Sequence, residues 1–209
     1  EGDLSNPRGM AAMLRDYVAY LRVHNYAEGT IAKRRYHANA FIRWAEERAL
    51  TCVADVTRPI LERYQRYLFS KTGKDGKRLT FNNQHNQLTS LRAWFKWLAR
   101  SRTILHNPAS ELELPKLGHR LPKHILSQAE VEAVINVPDV SQPLGIRDRG
   151  ILETFYSTGI RRLELITLRI DAIDYERGVL TVRKGKGKKD RVVPIGERAL
   201  AWVQKYQYE

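Results

Sequence analysis

Apolar residues recur at helical spacing throughout the first half of the chain. A repeat of i, i+3, i+4 and i+7 places side chains on one face of a helix, and that face is buried when the side chains are apolar. Around residues 10–24, four residues follow this repeat: Leu14, Tyr17, Val18 and Leu21. Comparable stripes predict three further helices: residues 28–48, a segment that starts after Thr57, and residues 80–100. The first half is therefore predicted to be a four-helix domain.

The apolar repeat stops roughly halfway along the chain. Residues 113–124 (ELPKLGHRLPKH) combine two prolines and a glycine with several basic side chains, a composition typical of an exposed linker. This predicts one domain over residues 1–112 and another over residues 125–209. At the start of the second domain, Ser127 and Glu130 have the spacing of a capping box, which indicates the beginning of a helix.

Two valine-containing segments in the second half indicate β-structure. Residues 179–182 and 192–193 flank a turn at Gly185–Gly187, a pattern that predicts a β-hairpin. Helical patterns surround this hairpin: residues 146–157, a segment that begins near Arg161, and residues 197–207. The predicted fold class is mainly α with a small β-hairpin or sheet, in which four helices are followed by an α+β part.

The charge balance indicates a polyanionic partner. Lys and Arg number 36 against 23 Asp and Glu, which gives a net charge of +13 and a pI near 10.0. Both predicted domains are positive, with 19 basic and 10 acidic residues up to Leu112, and 17 and 13 after it. Such a surplus is typical of nucleic-acid binding, although a basic protein without such a partner would show it too.

Composition also narrows the class of protein. The single cysteine, Cys52, excludes an internal disulfide and a cysteine-rich zinc site, and it favours a reduced, cytoplasmic setting. No apolar run approaches the roughly 20 residues that span a bilayer. The histidines lack metal-ligand spacing. We therefore expect no membrane association and no metal.

A short stretch, Thr158–Leu165 (TGIRRLEL), has the features of a phosphate-gripping site. Gly159 permits a sharp turn into a helix, and Arg161 and Glu164 share a face because they are three residues apart. A guanidinium held by a carboxylate can offer parallel hydrogen bonds to a phosphate. The alternative is an ordinary surface ion pair.

The predicted hairpin tip is strongly basic. Six of the nine residues of Arg183–Arg191 (RKGKGKKDR) are Lys or Arg. The glycines around Lys186 let the backbone approach a phosphate chain, and a lysine there could enter a groove or protonate a leaving alkoxide. A solvated basic turn is the alternative.

Two polar helix faces are candidates for DNA contact. On the fourth helix the stretch Asn82–Gln87 is rich in amides, which can pair with adenine in the major groove, and the preceding basic residues could hold phosphates. An ordinary polar helix face is the alternative. The candidate DNA-binding residues are Thr30, Lys33, Arg34 and His37 on the second helix, Lys77, Arg78, Asn82, Asn83, Gln84 and Gln87 around the start of the fourth, and Lys184 and Lys188 in the hairpin.

Taken together, these motifs resemble the tyrosine recombinases, or phage integrases, and among them the Xer-like branch. The resemblance rests on six stretches in the family's order: TIAKRRYHANAFIRW at 30–44, LRAWFKWL at 91–98, LPK at 121–123 with Leu126 and Ser127, RDR at 147–149, YSTGIRRLEL at 156–165 and GKGKKDRVVPI at 185–195. It covers almost the whole chain. It implies a helical, SAM-like core-binding domain followed by part of an α+β catalytic domain.

The resemblance also implies a chemistry. The family cuts and rejoins double-stranded DNA through a 3′-phosphotyrosyl intermediate, without metal or energy-rich cofactor. By position, Arg161 resembles the first catalytic arginine and Glu164 the acidic residue that supports it. Lys186 resembles the lysine that protonates the 5′-oxygen. Lys184 and Lys188 are the alternatives if the register of the hairpin differs.

One part of the family pattern is absent from these 209 residues. No histidine follows Lys186, so the family's His-x-x-Arg motif is missing, and Tyr206 and Tyr208 follow the hairpin too closely to be the nucleophile. We therefore expect a recombinase truncated before the second half of its catalytic domain. Such a chain would bind one half-site as a C-shaped clamp and would not cleave it.

Several expectations follow for partners. Intact family members act as tetramers on two DNA sites, whereas this chain alone is expected to be a monomer or a weak oligomer, and it is expected with the nucleoid in the cytoplasm. A shortened integrase that acts as a non-enzymatic DNA-binding regulator is the alternative function. A helical protein-interaction domain with incidental basicity would instead show no DNA affinity at moderate salt, and RNA is a less favoured partner because no aromatic-rich sheet is predicted.

Overall fold

A computed structural model describes residues 6–73, 75–118, 125–185, 187 and 189–208. The chain divides into two compact units, residues 1–120 and residues 121–209. The division after residue 120 falls within the stretch predicted to be a linker, of which residues 119–124 lie outside the described part.

The first unit contains four long helices: α1 (Met10–Val23), α2 (Glu28–Glu46), α3 (Arg58–Ser70) and α4 (Phe81–Arg100). A single 3₁₀ turn, Val53–Asp55, precedes α3. The limits of α1, α2 and α4 agree with the predicted ones to within two residues, and α3 begins directly after Thr57, as predicted. The hydroxyl of Thr80 caps α4 by accepting a hydrogen bond from the backbone N–H of Asn83 at 3.2 Å. The prediction of a four-helix first half is confirmed.

Aromatic rings fill the centre of this unit. The Phe41 ring meets those of Tyr64 and Phe95 edge to face, at centroid distances of 5.1 and 6.0 Å. Trp94, on the buried face of α4, is fully enclosed. Because aromatic side chains remove large apolar areas from water, this cluster stabilises the bundle more than its helix propensities do.

The start of the predicted linker is attached to the first unit. The Gln65 side chain on α3 donates to the backbone carbonyl of Glu113 at 3.0 Å. The Nδ1 of His85 on α4 lies 3.1 Å from the carbonyl oxygen of Pro115. Residues 113–115 therefore pack along α3 and α4 rather than forming a free connection.

The second unit combines helices with a small sheet. Its helices are α5 (Gln128–Ile135), α6 (Pro143–Thr158), α7 (Arg162–Ile166) and α8 (Glu197–Tyr208), with a 3₁₀ turn at Ile170–Ala172. Its strands are β1 (Ile173–Asp174), β2 (Val179–Val182) and β3 (Arg191–Pro194), antiparallel in the order β1-β2-β3. The predicted hairpin is confirmed as β2 and β3, which pair Leu180 with Val193. The strand β1 was not predicted, because two residues are too few to show an alternating pattern.

Local sequence explains how these elements start and stop. Ser127 and Glu130 form the predicted capping box at the start of α5. Gly159 ends α6 with a φ of 60°, a conformation that costs glycine little. Within the described ranges, no helix has the length and apolar character needed to cross a membrane.

A buried ion-pair network joins three helices of the second unit. The Glu153 carboxylate on α6, with only 2% of its side chain exposed, accepts from Arg149 at 2.9 Å and from Arg198 at 2.8 Å. Arg198 on α8 also donates to Glu132 on α5 at 2.8 Å. The two arginines compensate the charge that burial would otherwise make costly. The network ties α5, α6 and α8 together.

Candidate functional site

A single carboxylate, that of Glu164, organises the predicted catalytic site. It accepts the backbone N–H of Arg161 at 2.9 Å, which caps the short helix α7. It also accepts from Nη1 of the Arg161 side chain at 3.2 Å. From the start of β3, Arg191 donates to both carboxylate oxygens, with Nη1 at 2.9 Å and Nη2 at 2.6 Å. Only 6% of the Glu164 side chain remains exposed.

These contacts fix the charge of the site. The hydrogen bonds from Arg191, followed by the backbone hydrogen bond from residue Arg161, hold the pKa of Glu164 far below its usual range, although burial opposes them. The same pairing raises the pKa of Arg191. Glu164 is therefore ionised at neutral pH, and it lies between the guanidinium groups of Arg161 and Arg191.

Arg161 combines an anchored edge with an accessible one. One of its terminal nitrogens is tied to Glu164, while 58% of the side chain stays exposed. A planar guanidinium has five N–H donors in a fixed fork, so a guanidinium held at one nitrogen can still grip a phosphate. The predicted pairing of Arg161 with Glu164 is present, and its geometry suits the binding of an anion.

The hairpin turn beside this pair is described in part. The backbone N–H of Gly185 donates to the carbonyl of Lys189 at 3.0 Å, which closes the turn. The backbone N–H of Lys184 donates to the Asp190 carboxylate at 2.7 Å, and Lys184 itself is exposed with a φ of 52°. The predicted catalytic lysine, Lys186, and the alternative Lys188 lie outside the described residues.

Most of the candidate DNA-binding residues of the first unit are accessible. Arg34 is half-buried, donates to the Tyr17 hydroxyl at 2.9 Å and lies over the Tyr26 ring at 5.0 Å. Part of its guanidinium is thus committed to the protein. The exposed candidates are Thr30, Lys33, Lys77, Arg78, Asn82 and Asn83.

Three candidates are buried, and the structure corrects their predicted role. Gln84 donates to the carbonyl of Leu79 at 2.8 Å, and Gln87 donates to the Asn83 side chain at 2.9 Å and accepts from the Tyr64 hydroxyl at 3.3 Å. These two glutamines lie three residues apart on the face of α4 that turns toward the core. Their amide groups complete hydrogen bonds inside the first unit and are not available to DNA bases.

His37 is the third buried candidate. Its Nδ1 lies 2.8 Å from the Ser90 hydroxyl, which in turn donates to the carbonyl of Asn86. Burial, and secondarily the charge of Lys33, lowers the pKa of His37, so the imidazole is neutral near pH 7. It joins α2 to α4 instead of facing a partner.

The packing of α2 on α4 gathers the exposed candidates. His37 contacts Ser90, and Phe41 contacts Phe95, so residue numbers increase in the same direction along both helices. The beginnings of the two helices therefore lie at the same end of the first unit. That end carries the following accessible side chains: Thr30 and Lys33 from α2, Asn82 and Asn83 from α4, and Lys77 and Arg78 from the segment before α4.

Sequence reasoning missed one residue of the site, Arg191. It was counted only as part of a basic hairpin, because 27 residues separate it from Glu164. The one available signal is its place at the start of the second hairpin strand, paired with Val182. This pairing shows at which end of the strand Arg191 lies, but it does not reveal that Arg191 has a carboxylate partner on α7.

Comparison with known proteins agrees with this architecture. Residues 124–208 match the model of the phage integrase family. The chain is 52% identical over 189 residues to tyrosine recombinase XerC 2 of Ralstonia nicotianae, covering 90% of this chain and 54% of that protein. It is 42% identical over 120 residues to tyrosine recombinase XerD of Pseudomonas putida, covering 57% of this chain and 40% of that protein. The chain thus spans about half the length, or less, of these relatives.

Solved structures share the fold at low sequence identity. A lambda integrase dimer bound to a COC′ core site matches with a TM-score of 0.66 and 17% identity, over 94% of this chain and 66% of that one. The integrase of transposon Tn1549, in complex with circular intermediate DNA, matches with a TM-score of 0.63 and 18% identity, over 92% and 64%.

The mainly helical architecture with its small three-stranded sheet is therefore an integrase-type fold. Residues 124–208 thus match the phage integrase family, and the chain is similar over most of its length to a Xer tyrosine recombinase.

Proposed function

We propose that the chain is the DNA-binding part of a Xer-like site-specific recombinase, which cuts and rejoins double-stranded DNA. The observation that carries the proposal is the exposed guanidinium of Arg161, braced by Glu164, in the segment that matches the integrase family. The accessible basic and amide side chains at one end of the first unit support it. The proposed partner is DNA in the nucleoid, which places the protein in the cytoplasm.

In the proposed reaction, a tyrosine oxygen attacks a DNA phosphorus and the bond to the 5′-oxygen breaks. Arg161 would hold the non-bridging oxygens, whose negative charge increases as the fifth bond forms. Glu164 would keep Arg161 in place, and Lys186 would give a proton to the departing 5′-oxygen. The new phosphotyrosyl bond conserves the energy of the phosphodiester, so a 5′-hydroxyl can reverse the attack to rejoin the strand.

We further propose that the tyrosine nucleophile is not among these 209 residues. No His-x-x-Arg motif follows Lys186 in the sequence, and Tyr206 and Tyr208 belong to α8, directly after the hairpin. The chain alone should bind DNA without cleaving it, as a monomer or weak oligomer, whereas the intact recombinase would act as a tetramer. A covalent adduct between this chain and DNA would contradict the proposal.

For the first unit we propose a division of labour among the exposed residues. Lys33, Lys77 and Arg78 would bind phosphates, whereas Asn82 and Asn83 would read base edges, since amides pair with adenine in the major groove. Further contacts are proposed for Thr30, for the accessible part of Arg34, and for Lys184 and Lys188 of the hairpin.

The test starts by selecting duplexes from a random pool with the 209-residue chain. Affinity for a selected duplex is then measured by fluorescence anisotropy between about 50 and 200 mM salt. Replacing Lys33 or Lys77 by Ala should reduce the log–log salt slope by about 0.9 each. Asn83→Ala should weaken binding to the selected site by about 1–3 kcal/mol and leave random duplexes unaffected.

Lys96→Ala is the matched control for charge. Lys96 is exposed on α4 but lies well along the helix from its first turn. If DNA meets the beginning of α4, this variant keeps the wild-type salt slope. Equal losses from Lys96→Ala and Lys77→Ala would refute the proposed surface, and absence of duplex affinity at moderate salt would refute DNA binding altogether.

A further inference from the structure

The Glu164–Arg191 pair connects two segments that are distant in sequence. Glu164 lies on α7, and Arg191 is the first residue of β3, 27 residues later. Both terminal nitrogens of Arg191 are used, one on each carboxylate oxygen. Two parallel hydrogen bonds fix the orientation of both planar groups, which one contact alone would not do.

The hairpin turn packs directly on this pair. A Cβ on Gly185 would lie 2.9 Å from Glu164 Oε1, 2.9 Å from Arg191 Nη1 and 3.1 Å from the carbonyl oxygen of Lys189. These distances leave no room for a side chain. The backbone at Gly185 is therefore seated against the ion pair, and glycine is the residue type that permits this contact.

Glu164 thus contacts two elements, the start of α7 and the start of β3. Its contacts with the backbone and side chain of Arg161 define the start of α7. Its contact with Arg191, covered by Gly185, holds the start of β3, where the turn between β2 and β3 ends. Any displacement of the carboxylate would shift the guanidinium of Arg161 and the turn together.

We propose that Arg191 is a positioning residue, which grips Glu164 with both terminal nitrogens and so fixes the hairpin turn relative to the Arg161 guanidinium. The inference rests on the proposed function, in which Arg161 binds a DNA phosphate and the turn carries the proton-donating lysine. Arg191 itself needs no contact with DNA. Lysine cannot replace it, because one ammonium group lacks the planar fork that spans both oxygens.

The test compares Arg191→Lys with Arg183→Lys in the 209-residue chain. Both variants keep the net charge of the chain. Arg183 belongs to the same hairpin as Arg191, but its ion pair is weaker. Among the described residues it pairs with Asp171 alone, at 3.8 Å. Thermal unfolding first establishes that each variant is folded. The Glu164 carboxyl is then titrated by ¹³C NMR, and the Nε–Hε signal of Arg161 is recorded by ¹⁵N NMR.

In the wild type and in Arg183→Lys, the Glu164 carboxyl should remain ionised throughout the range from pH 7 to pH 4. In Arg191→Lys its pKa should rise toward the usual value for glutamate, and the Arg161 Nε–Hε signal should shift and exchange faster with water. Affinity for the selected duplex should fall about tenfold, the loss expected for one charge-assisted hydrogen bond. Wild-type NMR signals in Arg191→Lys would overturn the inference.

Gly185→Ala provides a second, independent variant. It changes no charge, yet its Cβ would push Glu164 and Arg191 apart. It should therefore shift the same two NMR signals as Arg191→Lys. Gly29→Ala is its control, because a Cβ at that helical position meets nothing within 4 Å. Unchanged signals in folded Gly185→Ala would contradict the inference even if Arg191→Lys failed to fold.

The two proposals fail in different ways. If the wild-type chain has no affinity for duplex DNA, the proposed function is wrong, whatever the NMR signals show. If the wild type binds DNA and Arg191→Lys matches it in affinity, in the Glu164 titration and in the Arg161 signal, only the positioning role is wrong.

Discussion

The two units are stabilised in different ways. In the first unit the core is a cluster of aromatic and aliphatic side chains, and the polar groups buried with it, such as His37 and Gln84, are neutral and hydrogen-bonded. In the second unit the apolar cluster is small, and two buried carboxylates, Glu153 and Glu164, each hold a pair of arginines. Apolar packing dominates one unit, and oriented charge supplements it in the other.

Within the second unit, Glu153 and Glu164 each bind two arginines, but these arginines differ in exposure and in their other contacts. At Glu153, Arg149 is 12% exposed and Arg198 is 47% exposed, but Arg198 binds a second carboxylate, that of Glu132. At Glu164, the arginine Arg161 is 58% exposed. The exposed arginine at Glu153 thus links carboxylates on two helices, whereas Arg161 pairs with Glu164 alone within the described residues. The candidate site is marked by an exposed arginine that keeps donors not used on a carboxylate, rather than by the presence of an ion pair.

The largest expected effect is in the apolar core of the first unit. Phe41→Ala removes a fully buried ring that touches Tyr64 and Phe95. It should lower the free energy of unfolding by about 3–5 kcal/mol, measured by urea denaturation. Phe69→Ala is the control, since that ring is half exposed, and it should cost under about 1 kcal/mol. Similar losses of unfolding free energy from the two variants would show that apolar burial does not dominate the stability of the first unit.

The next effect tests the buried charges of the second unit. Glu153→Gln leaves two arginines facing an amide and should destabilise the chain by about 3 kcal/mol, because an uncompensated buried charge is costly. Glu132→Gln, which changes a more accessible partner of Arg198, should cost no more than about 1 kcal/mol. Urea denaturation of both variants measures the difference. A larger loss from Glu132→Gln would show that Glu153 is not the centre of the network.

Much of the architecture could be predicted because its signals are local. The stripe through Leu14 and Leu21 defines α1, and the spacing of Ser127 and Glu130 defines the start of α5. The pairing of Arg161 with Glu164 was visible for the same reason, since residues three apart on a helix share a face. Each of these features lies within one or two helical turns.

The errors have physical causes of two kinds. Gln84 and Gln87 were predicted to bind DNA because amides can pair with bases. The helical repeat that turns Leu88 and Leu91 toward the core turns these two glutamines toward it as well. His37 was misassigned in the same way. Arg191 was missed because its contact with Glu164 depends on how the hairpin packs on α7, which no local pattern encodes.

A third effect is confined to acid conditions and tests the charge of Glu164. The pKa of Glu164 in the folded chain lies well below 4.5, its usual value and the one expected after unfolding. Its contribution to stability is therefore complete above pH 4.5 and declines as the pH falls toward the lower, folded value. The difference in unfolding free energy between the wild type and Glu164→Gln should shrink from pH 5 to pH 3, measured by urea denaturation at each pH. A constant difference would mean that Arg191 and Arg161 do not lower this pKa.

The smallest effect compares one helix cap from each unit. Ser127→Ala and Thr80→Ala should each cost about 1 kcal/mol, since each removes a side-chain oxygen that accepts a backbone N–H. Their local consequences should differ. The helix α5 has eight residues and buries only Ile135 fully, whereas α4 is anchored by Trp94, Leu98 and other core residues. Hydrogen exchange of the first-turn amides of α5 should therefore accelerate in Ser127→Ala, while the amides in the middle of α4 keep wild-type protection in Thr80→Ala. Loss of protection throughout α4 would show that the apolar core holds that helix less firmly than its burial indicates.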